Sequence, residues 1–250
     1  MMIEFDPGIR PDESLDSFYR GRILVLQRKN GFRFSLDAPL LADFIVTHEG
    51  EELLEIGTGC GIISLLLSLK PFKHILALEV QPALVDLARR NLLLNNLEGR
   101  ITVLQKDFRE YQPYRKFDLI FSNPPYIRRN SGFLSPSEEK NIAKHELLCS
   151  LEELLSFTRS WLKETGRACF IFPDSRQPEF EQELHRQGLK IKTRRSVYPR
   201  ENEPANFFLA ECAFEVANPV TMPPLILYGP DGKYTSEAEE IFAGRPSREG

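Results

Sequence analysis

From residue 51 onward, short apolar runs alternate with stretches whose apolar positions recur every three or four residues. Residues 52–56 (ELLEI) read as a buried strand ending in a glycine turn, and 62–69 as an apolar helix. Residues 75–79 predict a second strand. Pro82 then sits where a helix's first turn tolerates proline, and Leu84, Leu87, Ala88 and Leu92 keep helical spacing up to an Asn95-Asn96 stop. Third and fourth strands are predicted over 101–105 and 117–122, a helix over 147–162, a fifth strand over 167–172 and another helix over 178–187. Two late strands, about 191–197 and 207–214, follow with only a loop between them.

Strand–helix alternation with continuous apolar strands implies an α/β fold, a mostly parallel sheet covered on both faces. The two loop-connected late strands predict an antiparallel pair at one edge, for seven strands in all. Three regions are expected: an N-terminal extension with its own motif (1–50), the α/β domain (51–217), and a proline-rich segment (218–250) that wraps the surface.

Composition narrows the class. Of 250 residues, 42 % are hydrophobic and 27 % charged, so disordered and fibrous classes are excluded. No apolar run approaches the roughly 20 residues of a membrane span, and the acidic start lacks a secretory layout. Cys60, Cys149, Cys169 and Cys212 lie far apart, which disfavours a disulfide framework or a zinc site and fits a reduced, cytoplasmic chain without a metal. The net charge of −4 argues against non-specific coating of nucleic acid, but the charge is uneven. Residues 17–36 carry Arg20, Arg22, Arg28, Lys29 and Arg33 without an acid, and 184–200 carry Arg186, Lys190, Lys192, Arg194, Arg195 and Arg200, again without one. Such runs fit docking of a polyanion, or two solvated faces.

Four strand ends carry candidate chemistry. The run from Glu55 through Gly57, Thr58, Gly59 and Gly61 follows the first strand, and its glycines let backbone turn sharply and approach a ligand. It is neither a P-loop nor a GxGxxG dinucleotide fingerprint, and alone it also fits a tight strand–helix turn. Glu79, followed by Val80, ends the second strand, where an acid can accept bonds from two ribose hydroxyls. Asp107 ends the third; with Phe108 behind it, it can receive an adenine amine and flank the ring. After the fourth strand comes Asn123-Pro124-Pro125-Tyr126. Two prolines fix the backbone there. The Asn123 amide oxygen and the Pro124 carbonyl can converge on one amine while Tyr126 offers a stacking face. Two acceptors on the hydrogens of a conjugated amine favour electron density on nitrogen and hold it in line with an electrophilic carbon.

In this order the motifs resemble class I S-adenosylmethionine-dependent methyltransferases that act on amino groups, with their Rossmann-like fold. The resemblance implies S-adenosylmethionine as cofactor: the glycine loop under its methionine part, Glu79 with Val80 at the ribose, Asp107 and Phe108 at the adenine, and Asn123, Pro124 and Tyr126 at the target nitrogen with Pro125 beside them. Three branches share these motifs. Release-factor glutamine methyltransferases carry a helical domain ahead of the loop, for which the 54 residues before Glu55 are short. DNA adenine methyltransferases need a target-recognition domain. Small bacterial tRNA adenine-N6 methyltransferases match further: 27–37 (QRKNGFRFSLD) is similar to their N-terminal signature, and 143–146 (AKHE), 198–200 (YPR) and 225–234 resemble later blocks. Lys144, where that family has arginine, and the 227–232 stretch (LYGPDG) depart from the pattern.

The resemblance implies methylation of the adenine N6 amine at position 37, beside the anticodon of a valine tRNA, with glutamine methylation in release factor as the alternative. Phe34 and Asp37 then close over the cofactor's methionine end. Arg128, Arg129, His145, Arg194 and Arg195 are candidate contacts to the anticodon stem-loop, with neither a membrane nor an obligate protein partner expected. Phe34 also fits plain core, and His145 a structural helix start. An adenine amine is reached only when its base leaves the stack, which an anticodon loop allows cheaply.

Overall fold

The chain's apolar runs become the strands of one sheet, and what lies before them adds a hairpin. The structure is a computed structural model that describes residues 8–29, 36–124 and 149–244. Strands β1 (Glu13–Phe18) and β2 (Ile23–Arg28) pair antiparallel, with Glu13 opposite Arg28. Neither is among the strands expected above: β1 (ESLDSF) is largely polar, although β2 (ILVLQR) carries four apolar residues in a row. Their turn also rests on Tyr19 and Arg20 at φ 51° and 56°, a left-handed geometry that turn composition assigns to glycine or asparagine.

Strands β3 (Glu52–Ile56), β4 (His74–Glu79), β5 (Ile101–Gln105), β6 (Phe117–Ser122) and β7 (Leu162–Pro173) are parallel. β8 (Lys190–Tyr198) and β9 (Phe207–Ala213) form the expected antiparallel pair, with β9 inserted between β7 and β8. The order is therefore β8-β9-β7-β6-β3-β4-β5. The sheet is wider than seven strands. β10 (Val220–Thr221) and β11 (Leu225–Ile226) pair in parallel with β8, so the proline-rich segment extends the edge as well as crossing the surface.

Alternate positions of each strand face opposite ways, and this builds two cores. Leu53, Ile75, Ala77, Leu119 and Phe121 lie under α1 (Asp37–Phe44), α2 (Ile62–Leu67), α3 (Pro82–Leu94) and β2. Leu54, Ile56, Leu76, Leu78 and Ile120 lie under α4 (Leu151–Trp161) and α5 (Gln177–Arg186). In the second core Phe180 is fully buried, with its ring 5.1–5.8 Å from those of Phe170, Phe172 and Phe208. α4 begins later than its apolar spacing suggests, because Ser150 and Glu153 form a reciprocal cap: the Glu153 N–H donates to Ser150 Oγ (3.1 Å) and the Ser150 N–H to Glu153 Oε2 (2.6 Å). α6 (Ser236–Ala243) packs against α1.

The hairpin is held by amides that imitate a neighbouring strand. Asn91, fully buried on α3, accepts from the Leu26 N–H (2.7 Å) and donates to the Leu26 (3.1 Å) and Cys60 (2.9 Å) carbonyls. One side chain thus joins β2, α3 and the glycine turn. Replacing Asn91 with leucine should cost about 1–3 kcal/mol, since three backbone groups lose their partner out of water. Urea denaturation measures this, and a midpoint unchanged from the parent protein would refute it.

Candidate cofactor and catalytic site

β3 to β6 are parallel and in register, so Ile56, Glu79, Gln105 and Ser122 end at one rim, the place where open α/β sheets bind ligands. The turn after β3 needs its glycines: Gly57, Gly59 and Gly61 have φ of 74°, 59° and 87°. The Gly57 and Thr58 N–H groups donate to the Leu78 carbonyl (2.9 and 3.0 Å), which fastens the turn to β4. A Cβ built on Gly57 would meet nothing within 4 Å among the described residues.

Glu55 lies beneath this turn, 1 % exposed. Its Oε2 accepts from Thr58 Oγ1 (2.7 Å) and from Ser64 Oγ, while its buried Oε1 has no partner among the described residues. Burial pushes this carboxyl up to about 7; the two hydroxyl donors oppose the shift and the nearby Glu79 charge adds to it. Glu79 accepts from the N–H groups of Gly59, Val80 and Gln81, each at 2.9 Å. Burial raises its pKa as well, against those three donors. Its carboxylate has about four acceptor positions, so these donors leave one.

Asp107 lies at the start of the short 3₁₀ turn 108–110 and is gripped by Arg109: Oδ1 accepts from the Arg109 N–H and Nε (both 2.9 Å), and Oδ2 from Nε (3.0 Å) and Nη2 (2.5 Å). The guanidinium holds this carboxyl below its usual range. The Phe108 ring packs edge-on against Phe157 at 5.3 Å, so it belongs to the second core as well as to the rim. Beyond β6, Ser122 Oγ donates to the Ile56 carbonyl (2.8 Å), tying the strand that leads into Asn123 to the strand that leads into the glycine turn. Asn123 is half-buried and Pro124 buried. Asp37 opens α1 with its carboxylate buried and accepting from the Ala38 N–H (3.2 Å).

Of the other candidates, Phe34, Pro125, Tyr126, Arg128, Arg129 and His145 lie outside the described residues. Arg194 and Arg195 do not share a face, since successive strand residues point to opposite sides. Arg195 is 7 % exposed and donates to the Pro223 carbonyl (3.0 Å) and to Glu237 (2.8 Å); it anchors the C-terminal segment instead of facing solvent. Nor is the 184–200 run a bare basic face. Arg186, Lys190, Lys192, Arg194, Arg195 and Arg200 pair with Glu183, Glu215, Glu211, Glu181, Glu237 and Glu203 respectively. All six acids lie outside the run: Glu181 and Glu183 on α5 just before it, and Glu203, Glu211, Glu215 and Glu237 beyond it, so a count confined to the run does not reveal the pairing. The reading also missed Ser64 and Arg109. Ser64 was visible as the polar residue inside 62–67 (IISLLL), and Arg109 as a cation two positions after a strand-end acid.

A protein-family model described as "Methyltransferase small domain" matches residues 34–147. A tRNA1(Val) (adenine(37)-N6)-methyltransferase of Flavobacteriaceae bacterium (strain 3519-10) is 33 % identical over 190 residues, 75 % of this chain and 80 % of the relative. The chain belongs to this family. Methyltransferases of the same name from Dyadobacter fermentans and Actinobacillus pleuropneumoniae are 28 % and 26 % identical, with 83 % and 88 % of this chain aligned to 87 % and 92 % of theirs. Two solved structures share the fold: a protein of Agrobacterium tumefaciens titled a predicted O-methyltransferase (TM-score 0.64, 19 % identity, 83 % of this chain and 96 % of that one), and a ribosomal protein L11 methylase from Lactobacillus delbrueckii subsp. bulgaricus (0.53, 19 %, 74 % and 80 %).

Family and fold make this an S-adenosylmethionine-dependent methyltransferase, and the rim suits that cofactor. The open space over Gly57, the buried Oε1 of Glu55, which has no partner among the described residues, and three strand-end carboxylates match a ligand bearing an ammonium, a ribose hydroxyl and an adenine amine. Among the described residues no helix is long and apolar enough to cross a membrane.

Proposed function

We propose that this methyltransferase modifies the N6 amine of an adenine in tRNA, adenine 37 beside the anticodon of a valine tRNA, in the cytoplasm. The observation that carries the reading is Asn123-Pro124 at the end of β6, beside the glycine turn, in a chain whose relatives with the tRNA-modifying name align over most of their length. The cofactor supplies an electrophilic methyl on a sulfonium sulfur. In the proposed site, Glu55 takes its ammonium, Glu79 with Val80 its ribose, and Asp107 with Phe108 its adenine, while Phe34 and Asp37 close the methionine end. The Asn123 side-chain oxygen and the Pro124 carbonyl each accept one N–H of the target amine. That leaves the nitrogen lone pair directed out of the base plane, with Tyr126 stacked on the ring and Pro125 stiffening the turn. No proton need leave before the bond forms, which fits a grip made of neutral acceptors.

Labelled S-adenosylmethionine offered to tRNA lacking the modification and to release factor tests the reading. Recovery of label as N6-methyladenosine in tRNA is the expected result, and label in release factor alone would overturn it.

For the RNA contact, Arg128, Arg129, His145 and Arg194 are the candidates. Arg194 is held loosely, 3.6 Å from Glu181 with a third of its side chain exposed, so phosphate can compete for it. Arg194→Glu should weaken tRNA binding about threefold to tenfold at low salt and leave cofactor affinity alone. An unchanged affinity in a filter-binding titration would remove Arg194 from the interface.

A further inference from the structure

The arrangement around Asp107 holds more than an acceptor for adenine. Its two oxygens are held differently. Oδ1 accepts from the Arg109 backbone N–H (2.9 Å), a turn-capping bond that any residue at position 109 would make, as well as from Arg109 Nε (2.9 Å). Oδ2 accepts only from the Arg109 side chain among the described residues, through Nε (3.0 Å) and Nη2 (2.5 Å). The carboxylate is therefore aimed by backbone, and the guanidinium is not needed to aim it. The guanidinium straddles both oxygens through Nε and, through Nη2, covers the one that the cap leaves open.

We propose that Arg109 is an internal competitor for Asp107, covering the oxygen that an adenine amine would use and so limiting how tightly adenosine-bearing ligands are held. This rests on the reading of Asp107 as the adenine acceptor. A second carboxylate makes the exchange feasible. Glu153 Oε1 already lies 3.8 Å from Arg109 Nη1, while Glu153 Oε2 is committed to the Ser150 cap. A guanidinium leaving Asp107 thus moves toward an anion at the head of α4 and not into bare solvent. Fork geometry matters too: two parallel N–H donors cover both oxygens of a carboxylate, which a single-point cation does not. The consequence is a site whose affinity for substrate cofactor and for its demethylated product is lowered together, because both carry the same adenosine.

The test measures affinity for S-adenosylhomocysteine, which lacks the sulfonium charge, by calorimetry on the full chain. Arg109→Ala is expected to bind it about threefold tighter, the size of a partly exposed ion pair that no longer has to be displaced. Arg109→Gln should gain in the same direction. S-inosylhomocysteine presents an oxygen where adenine has its amine, so it should show no gain, and the gain should vanish in an Asp107→Asn background. Binding that stays equal or weakens in Arg109→Ala, while Asp107→Asn weakens binding, would overturn the proposal and leave the adenine reading standing. Unaltered binding in Asp107→Asn alone would instead overturn the adenine reading, and the proposal with it. Unchanged melting temperatures confirm that each variant is compared as a folded protein.

Discussion

An Asn123→Ala enzyme should bind its cofactor as before and transfer the methyl group about a hundredfold to a thousandfold more slowly, the range seen when one preorganised polar partner of a transition state is removed. The prediction follows from where Asn123 stands. The Ser122 hydroxyl is bonded to the Ile56 carbonyl (2.8 Å), so the turn's entry is fixed to β3 whatever side chain follows. Pro124 is buried and its ring locks φ, which restricts the backbone that carries the second acceptor. Alanine therefore deletes one of two proposed acceptors and leaves the Pro124 carbonyl as the other. The amine then keeps more of its lone pair in conjugation with the ring and loses its aim at the methyl carbon. Asn123→Asp retains an oxygen in the same place and should keep more activity than alanine does. Single-turnover methylation of tRNA, together with cofactor affinity by calorimetry, separates the two effects. A rate equal to the parent's would remove Asn123 from the chemistry, and a loss confined to cofactor affinity would move it to the cofactor side.

The parts of this site that show in the sequence are those written locally. Parallel strands end where their apolar runs end, so Glu55, Glu79, Asp107 and Asn123 could be placed at strand termini by reading alone, and the structure puts those termini at one rim. The hairpin ahead of α1 was not legible, because its stability comes from side-chain amides of a distant helix: Leu26 is bonded to Asn91 and Leu24 to Asn95. Charge was the least legible property. Arg195 and Glu237 are 42 residues apart in the chain yet 2.8 Å apart in space, so a run that is basic along the sequence is balanced in the fold. The same holds for Arg90, whose guanidinium reaches back to Glu13 at 2.6 Å. Apolar periodicity propagates through neighbours in sequence. Ion pairing across elements depends on the sheet order, which periodicity does not supply.

Cofactor affinity should rise steeply with pH as Glu55 ionises. Burial sets its carboxyl at about 7 in the folded chain, above the 4.5 of an unhindered glutamate. The folded protein therefore holds a proton there that the unfolded chain has already released. The contribution of Glu55 to stability is complete below pH 4.5 and is lost as the pH rises through 7. Burial of Glu79 shifts it in the same direction. A ligand ammonium placed on the buried Oε1 reverses the balance, because it favours the charged carboxylate that the empty fold disfavours. Below pH 7 each unit of acidification should then weaken cofactor binding up to about tenfold, since the proton must be expelled before the ion pair forms. Above roughly pH 8 the ligand's own α-amino group begins to lose its charge, so the informative window lies below that. Glu55→Gln should flatten the profile and bind weakly throughout, while Ser64→Ala, which removes a donor to Oε2, should move the midpoint to higher pH. Calorimetric titration at half-unit steps from pH 5.5 to 8 decides the matter. A profile as steep in Glu55→Gln as in the parent would assign the titration to another group and take the ammonium away from Glu55.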